Sequence, residues 1–244
     1  MIRPAADART IDADAVAERL AGVRERIAAA GRDPRDVVVV AVTKGFGADA
    51  VDAAGAAGIG DVGENYAQEL AGKWGATGGA VDRRRWHFLG RVQRNKVRMI
   101  APAVHLWQGV DRAAAGEEIA RRSPGADVFV QVNIDTTEVP GEDGRRNDRR
   151  RNGCLAGDVP ALVERLDDLG LHVRGLMAVG PAGPPELARP GFRKVAALAD
   201  RLGLPERSMG MTDDLDVAVE EGSTMVRVGR GLFGARPVAP RTRL

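Results

Sequence analysis

Aromatic side chains make up only 4% of this 244-residue chain, which has one tyrosine and one cysteine. A lone cysteine, Cys154, excludes an intramolecular disulfide and any all-cysteine metal site. No stretch approaches the roughly 18 apolar residues of a membrane-spanning helix. The opening MIRPAADARTIDADAVAERL has no apolar core of the kind a secretion signal carries, so a cytoplasmic protein is expected. Excess charge is missing as well. Lys+Arg 36 against Asp+Glu 34 gives +2, and despite a pI near 9.0 no overall field calls for nucleic acid or an acidic membrane.

What is present is order. Val37–Val42 is an unbroken apolar run followed by Thr43, a lone Lys44 and the turn GFG, the pattern of a strand buried on both faces inside a parallel sheet. Ahead of it, Val16, Leu20, Val23 and Ile27 recur at helical spacing and predict an amphipathic helix over Ala13–Ala30. Behind it, strands are predicted at Ile59–Gly63, Trp86–Gly90, Val104–Gln108, Asp127–Ile134, Val173–Val179, Arg207–Met211 and Thr224–Gly229. Helical patterns fill the intervals, among them Glu64–Trp74, Arg91–Ile100, one capped by Asp111 or its neighbour, and Asp213–Glu221 entered through Thr212. Eight strands alternating with helices, in a chain near the ~250 residues typical of the fold, predict an α/β protein: a single-domain (β/α)8 TIM barrel with an additional N-terminal helix. A doubly wound sheet would need a GxGxxG fingerprint after the first strand, which GFGADA is not. Residues 1–12 read as a loose arm, 13–237 as the barrel and 238–244 as a tail. The insertion Gly141–Gly153 (GEDGRRNDRRRNG) has five arginines, no aromatic and almost no apolar content, so it reads as a solvated flexible loop.

Barrel sites gather at the carboxyl ends of the strands, where this chain places Lys44, Asn65, His87, Gln108, Asn133, Met209, Thr212, Arg227, Gly229 and Arg230. A strand-end lysine either reaches water or is held near neutral as a nucleophile. In barrels a phosphate commonly sits on amides after the seventh and eighth strands; here those loops are MGMTDDL and RVGRGLFG. The bland readings coexist with that one: Thr212 as a helix cap, the glycines as a turn, His87 as a satisfied half-buried histidine. Arg227 is harder to dismiss, because an inward guanidinium needs a carboxylate, a ligand acceptor or water. A lysine, a phosphate cradle and an inward arginine together suit pyridoxal 5'-phosphate, whose aldehyde needs an amine, whose phosphate needs donors and whose ring nitrogen needs a partner.

The blocks VAVTKG, DVGENYAQE, WHFLGRVQRNKVR, WQGVDR, FVQVNID, GLMAVG, SMGMTDDLDVAVEEGSTMVRVG and LFGARP resemble the pyridoxal phosphate homeostasis proteins, single-domain barrels similar to the amino-terminal domain of alanine racemase. The resemblance spans roughly Val37 to Pro237. It implies Lys44 as the Schiff-base lysine, Asn65 and His87 near the cofactor ring, and Met209 and Thr212 in the wall and phosphate site. It also implies Arg227 as partner of the pyridine nitrogen and Gly229 with Arg230 as phosphate amides. Where the family usually has serine this chain has Thr212, and where it has threonine this chain has Arg230; the first keeps a hydroxyl, the second loses one.

An arginine facing the pyridine nitrogen keeps it unprotonated and weakens the ring as an electron sink. Racemases of the related fold add a tyrosine from a separate β domain as second base, and the only tyrosine here is Tyr66. The expectation is therefore a monomeric, non-enzymatic vitamin B6 carrier that holds pyridoxal phosphate and passes it to apoenzymes, with no catalytic residue, no metal, no nucleic acid and no membrane. The alternative is a racemase or lyase with His87 as base.

Overall fold

The computed structural model describes residues 10–134 and 152–236; residues 1–9 of the arm, most of the predicted Arg-rich loop and the tail 238–244 lie outside them. Val16, Leu20, Val23 and Ile27 line the buried face of α1 (Ala13–Ala29), whose first turn is capped by the Asp12 carboxylate accepting from the Asp14 amide at 3.0 Å. Just before it, the Ile11 amide donates to Asp49, so the arm is tied down by its last residues.

The alternation then runs β1 (Val38–Val42), α2 (Ala48–Ala56), β2 (Asp61–Glu64), α3 (Ala67–Ala76), β3 (Arg85–Phe88), α4 (Arg94–Ile100) and β4 (Val104–Val110). It continues through α5 (Ala113–Arg122), β5 (Asp127–Asn133), β6 (Cys154–Leu155), α6 (Val159–Asp168), β7 (His172–Ala178) and α7 (Arg189–Arg201). The last elements are β8 (Glu206–Ser208), α8 (Leu215–Glu220), β9 (Met225–Val228) and α9 (Arg230–Phe233). Every pairing is parallel, β1 lies between β2 and β9, and β4 joins β5, so eight strands close into a (β/α)8 barrel with α1 packed against α2, α8 and α9. The two-residue β6 extends the edge of β5 beyond the reach of β4.

The barrel is filled by Val40, Leu106, Phe129, Met177 and Met225, while Trp86, Trp107, Phe192 and the aliphatic residues of the helices fill the shell outside it. Each such side chain stabilises by about 1.5–3 kcal/mol on burial. Two expected helix starts differ. Glu64 is drawn into β2, opposite Phe88, and α3 begins only at Ala67. Asp111 caps nothing; it pairs with Arg91 and Arg112, and α5 starts without a side-chain cap. At the mouth, a Cβ on Gly90 would lie 2.0 Å from the Asn65 carbonyl oxygen, so only glycine lets β3 leave the barrel beside the end of β2. No described helix is long and apolar enough to cross a membrane.

Candidate functional site

Lys44 follows β1 by two residues, in a turn that requires Gly45 at φ +76°. That turn is pinned from α3: Glu69 accepts from the Gly45 amide at 2.9 Å and from Lys73 Nζ at 3.1 Å. Lys73 also donates to the Thr43 carbonyl at 2.8 Å and to Glu64 Oε1 at 2.6 Å, and Glu64 accepts from the Thr43 hydroxyl at 2.6 Å. Burial raises the Glu64 carboxyl above its ordinary value, against the pull of Lys73 and Thr43. One oxygen of that carboxylate, Oε2, is buried without a partner among the described residues.

Lys44 itself points into a cavity of about 690 Å³ at the carboxyl ends of the strands. Burial first, then the cations Arg236 and Arg227, push its ammonium below the ordinary lysine pKa, with Glu64 and Glu69 opposing. Asn65, Gln131, Thr212, Arg227, Gly229, Arg230 and Arg236 share the cavity, and Val42, Leu89, Met177 and Val179 supply apolar wall.

Arg227, 4% exposed, donates from Nη1 to the Ser208 carbonyl at 2.7 Å and to the Ser208 hydroxyl at 2.6 Å, and from Nη2 to the Ala178 carbonyl at 2.7 Å. Burial lowers its pKa to about 10, with Asp214 opposing, so at neutral pH it remains a cation. On the neighbouring loop the Thr212 hydroxyl accepts from the Gly231 amide at 3.1 Å; among the described residues its proton has no acceptor. This bond explains why Thr212 does not open α8, which begins at Leu215. A Cβ on Gly229 would sit 3.1 Å from the Val42 carbonyl, so the β9–α9 turn lies hard against the end of β1, close to Lys44. The Arg230 guanidinium is exposed and paired with Asp213.

Three of the residues expected at the site, His87, Gln108 and Met209, are not on the cavity wall. His87 is not on the cavity wall: its Nε2 lies 2.9 Å from Asp61 Oδ1 and its Nδ1 2.8 Å from Gln108 Nε2, deep in the barrel. Both ring nitrogens have partners within the barrel interior. Met209 packs in the outer shell with Val217 and Ala218, because strand alternation turns Ser208 inward and Met209 outward. Asn65 lines the cavity but does not cap α3, whose cap position is Tyr66, 60% exposed.

Among the wall residues that sequence reasoning missed are Gln131, Asn152 and Arg236. Gln131 has its amide nitrogen on the Asn152 carbonyl at 3.2 Å and its Oε1 buried without a partner among the described residues; its period-two place before Asn133 on β5 was the signal. Asn152 follows the Arg-rich stretch, and nothing local marks it. Arg236 packs over Gly45, a contact between segments far apart in sequence. Among the described residues no group of three His, Cys, Asp or Glu is placed to hold a metal ion. Burial raises the thiol of Cys154 to about 11, with Asp158 and Asp111 adding to the shift, which leaves it unreactive.

Comparison with known proteins adds to this geometry. The family described as alanine racemase, N-terminal domain, matches residues 11–237. A pyridoxal phosphate homeostasis protein of Pseudomonas aeruginosa is 38% identical over 232 residues, 92% of this chain and 95% of that one. Its namesake in Deinococcus radiodurans is 37% identical over 215 residues, covering 88% and 97%. Among solved structures, PipY of Synechococcus elongatus, 31% identical, superposes with a TM-score of 0.76 without PLP and 0.73 with PLP bound, covering 90% of this chain and 100% of its own.

Proposed function

Because this chain belongs to the pyridoxal phosphate homeostasis proteins, built on the alanine racemase N-terminal domain, we propose that its cavity holds pyridoxal 5'-phosphate on Lys44. The observation that carries this reading is the meeting, in one cavity, of a lysine depressed below its ordinary pKa, a buried arginine cation and a hydroxyl-bearing turn with its proton free. These residues fit the group. When bound, the cofactor supplies an aldehyde that condenses with a neutral amine to an imine. Lys44 provides that amine, and its surroundings keep more of it neutral than a solvated lysine would be. Thr212 and the Gly229–Arg230 turn face the phosphate, and Arg227 offers the ring nitrogen a donor that cannot itself accept, which keeps that nitrogen unprotonated.

The same geometry supports a carrier over an enzyme. Among the described residues that line the cavity there is no His, Tyr or Cys, and of the two carboxylates among them Asp213 is paired with Arg230 and Asp214 accepts from the Met211 amide at 2.6 Å. In this reading the protein works as a cytoplasmic monomer that limits free aldehyde and passes cofactor to apoenzymes that bind it more tightly. The experiment is direct. Lys44→Ala leaves the fold intact and abolishes the long-wavelength imine absorbance, and borohydride reduction followed by peptide mapping labels Lys44. Label on Lys73, Lys96 or Lys194 instead overturns the assignment.

A further inference from the structure

A chain of hydrogen bonds crosses the barrel interior from its amino-terminal end to the cavity. Arg85 pairs with Asp61; Asp61 Oδ1 is 2.9 Å from His87 Nε2; His87 Nδ1 is 2.8 Å from Gln108 Nε2. Gln108 Oε1 then accepts from the Ser208 hydroxyl at 2.7 Å, and Ser208 Oγ accepts from Arg227 Nη1 at 2.6 Å. The members between Asp61 and Arg227 are 0–1% exposed. None of them lines the cavity except Arg227.

The chemistry of the groups gives the chain one direction. A guanidinium only donates, so Ser208 must accept from Arg227, and its single hydrogen goes to Gln108 Oε1. The other end of that amide only donates, so His87 Nδ1 accepts and His87 carries its proton on Nε2, aimed at Asp61. Asp61 is a fixed acceptor: although burial works the other way, the bonds from Arg85 and His87 hold its carboxyl down at about 2. Turning the Gln108 amide over would face its NH2 to Ser208 and its oxygen to a ring nitrogen that lacks a proton, breaking two bonds at once. The outcome is felt at Arg227. Of its five N–H groups, both on Nη1 are held by Ser208 and one on Nη2 by Ala178, which leaves two without an acceptor among the described residues, on a side chain that lines the cavity.

Resting on the cofactor reading above, we propose that Gln108 and Ser208 are positioning residues: they lock the Arg227 guanidinium so that its remaining donors meet the ring nitrogen, with His87 and Asp61 as the anchor. Networks in which every member has its partner fix a geometry that no single contact would. Gln108 is the pivot, because it alone supplies both an acceptor to Ser208 and a donor to His87.

The test separates aim from mere structure by comparing pyridoxal 5'-phosphate with its 1-deaza analogue, in which C–H replaces the ring nitrogen. The unmodified protein prefers the natural cofactor about tenfold, the worth of one charge-assisted hydrogen bond. Ser208→Ala and Gln108→Leu reduce that preference to about twofold or less while leaving affinity for the analogue unchanged. Gln108→Glu in its protonated form, which accepts from Ser208 through one oxygen and donates to His87 Nδ1 through the other, restores it. If both ligands weaken alike in the variants, or the preference survives, the proposal fails. Equal binding of both ligands by the unmodified protein sinks it too, yet leaves the cofactor reading standing; binding of neither overturns that reading itself. Should Gln108→Leu not fold, Ser208→Ala, which removes a single oxygen, decides alone.

Discussion

Lys44 titrates under the influence of four charges, two arginines against two glutamates, with burial tipping the balance toward the neutral amine. Uptake of a carbonyl ligand needs that neutral form. Its rate is therefore expected to rise with pH and level off below the ordinary lysine value of about 10.5. Removing a cation reverses part of the shift: Arg236→Gln raises the Lys44 pKa and moves the midpoint of the uptake profile upward, which stopped-flow absorbance reads directly. Arg230 makes a contrasting case. Exposed and already paired with Asp213, it is expected to cost no more than about 1 kcal/mol of cofactor affinity on change to Ala; a loss beyond about 3 kcal/mol would make it a principal phosphate ligand. Asp61 bears on stability. Its folded pKa of about 2 lies below the ordinary carboxylate value, so the native state binds fewer protons than the unfolded one between pH 4 and 2. That contribution, on the order of 2 kcal/mol, is present above pH 4 and lost as pH falls through 2, and Asp61→Asn flattens urea-midpoint curves across that window. Lys44 and Thr212 could be placed at the cavity because each follows an apolar stretch, and Arg227 because alternation along β9 turns it inward. His87 and Met209 misled because nearness to a strand end does not say which way a side chain points, and one residue of alternation separates wall from shell.

Among the elements, α3 carries more than its Ala- and Gly-rich sequence AQELAGKWGA advertises. Its buried Lys73 joins the Glu64 carboxylate to the Thr43 carbonyl, and its Glu69 holds the turn that presents Lys44. Lys73→Met leaves Glu64 buried and unpaired, at an expected cost of about 3 kcal/mol or more in thermal or urea unfolding; adding Glu64→Leu recovers most of that loss by removing the orphaned charge. Failure of the second change to rescue the first would show that the pair contributes little beyond the packing of its methylenes. Strand positions were readable throughout, since the runs around Val40, Trp86, Phe129 and Met225 are short, apolar and bounded by turn residues. Helix starts were less so. Glu64 and Asp111 looked like first-turn acids, but the first is drawn into a strand ladder and the second into ion pairs with Arg91 and Arg112, partners that local sequence does not reveal. The strand Cys154–Leu155 is too short to show any period.

At the scale of the whole molecule, the carrier reading makes a plain demand. The purified protein is expected to bind cofactor stoichiometrically, to yield it to an apoenzyme of higher affinity, and to exchange the α-proton of alanine, serine or glutamate in deuterated water no faster than free pyridoxal phosphate. Faster exchange, lost in Lys44→Ala, would make it an enzyme. The seam between β1 and β9 also has a meaning in time. Val38 pairs with Met225 and Val40 with Arg227, so neighbours in the barrel are far apart along the chain. During synthesis Lys44 leaves the ribosome early, and its wall partners Thr212, Arg227 and Gly229 follow only when the last strand is made. Until that strand closes the ring, Lys44 is an ordinary solvated amine with nothing beside it to lower its pKa or seat a phosphate. In the proposed reading, cofactor capture on Lys44 therefore waits for closure. On refolding from denaturant with cofactor present, the imine band is expected to lag the far-ultraviolet circular dichroism signal, by an interval that reports when the final strand slots home.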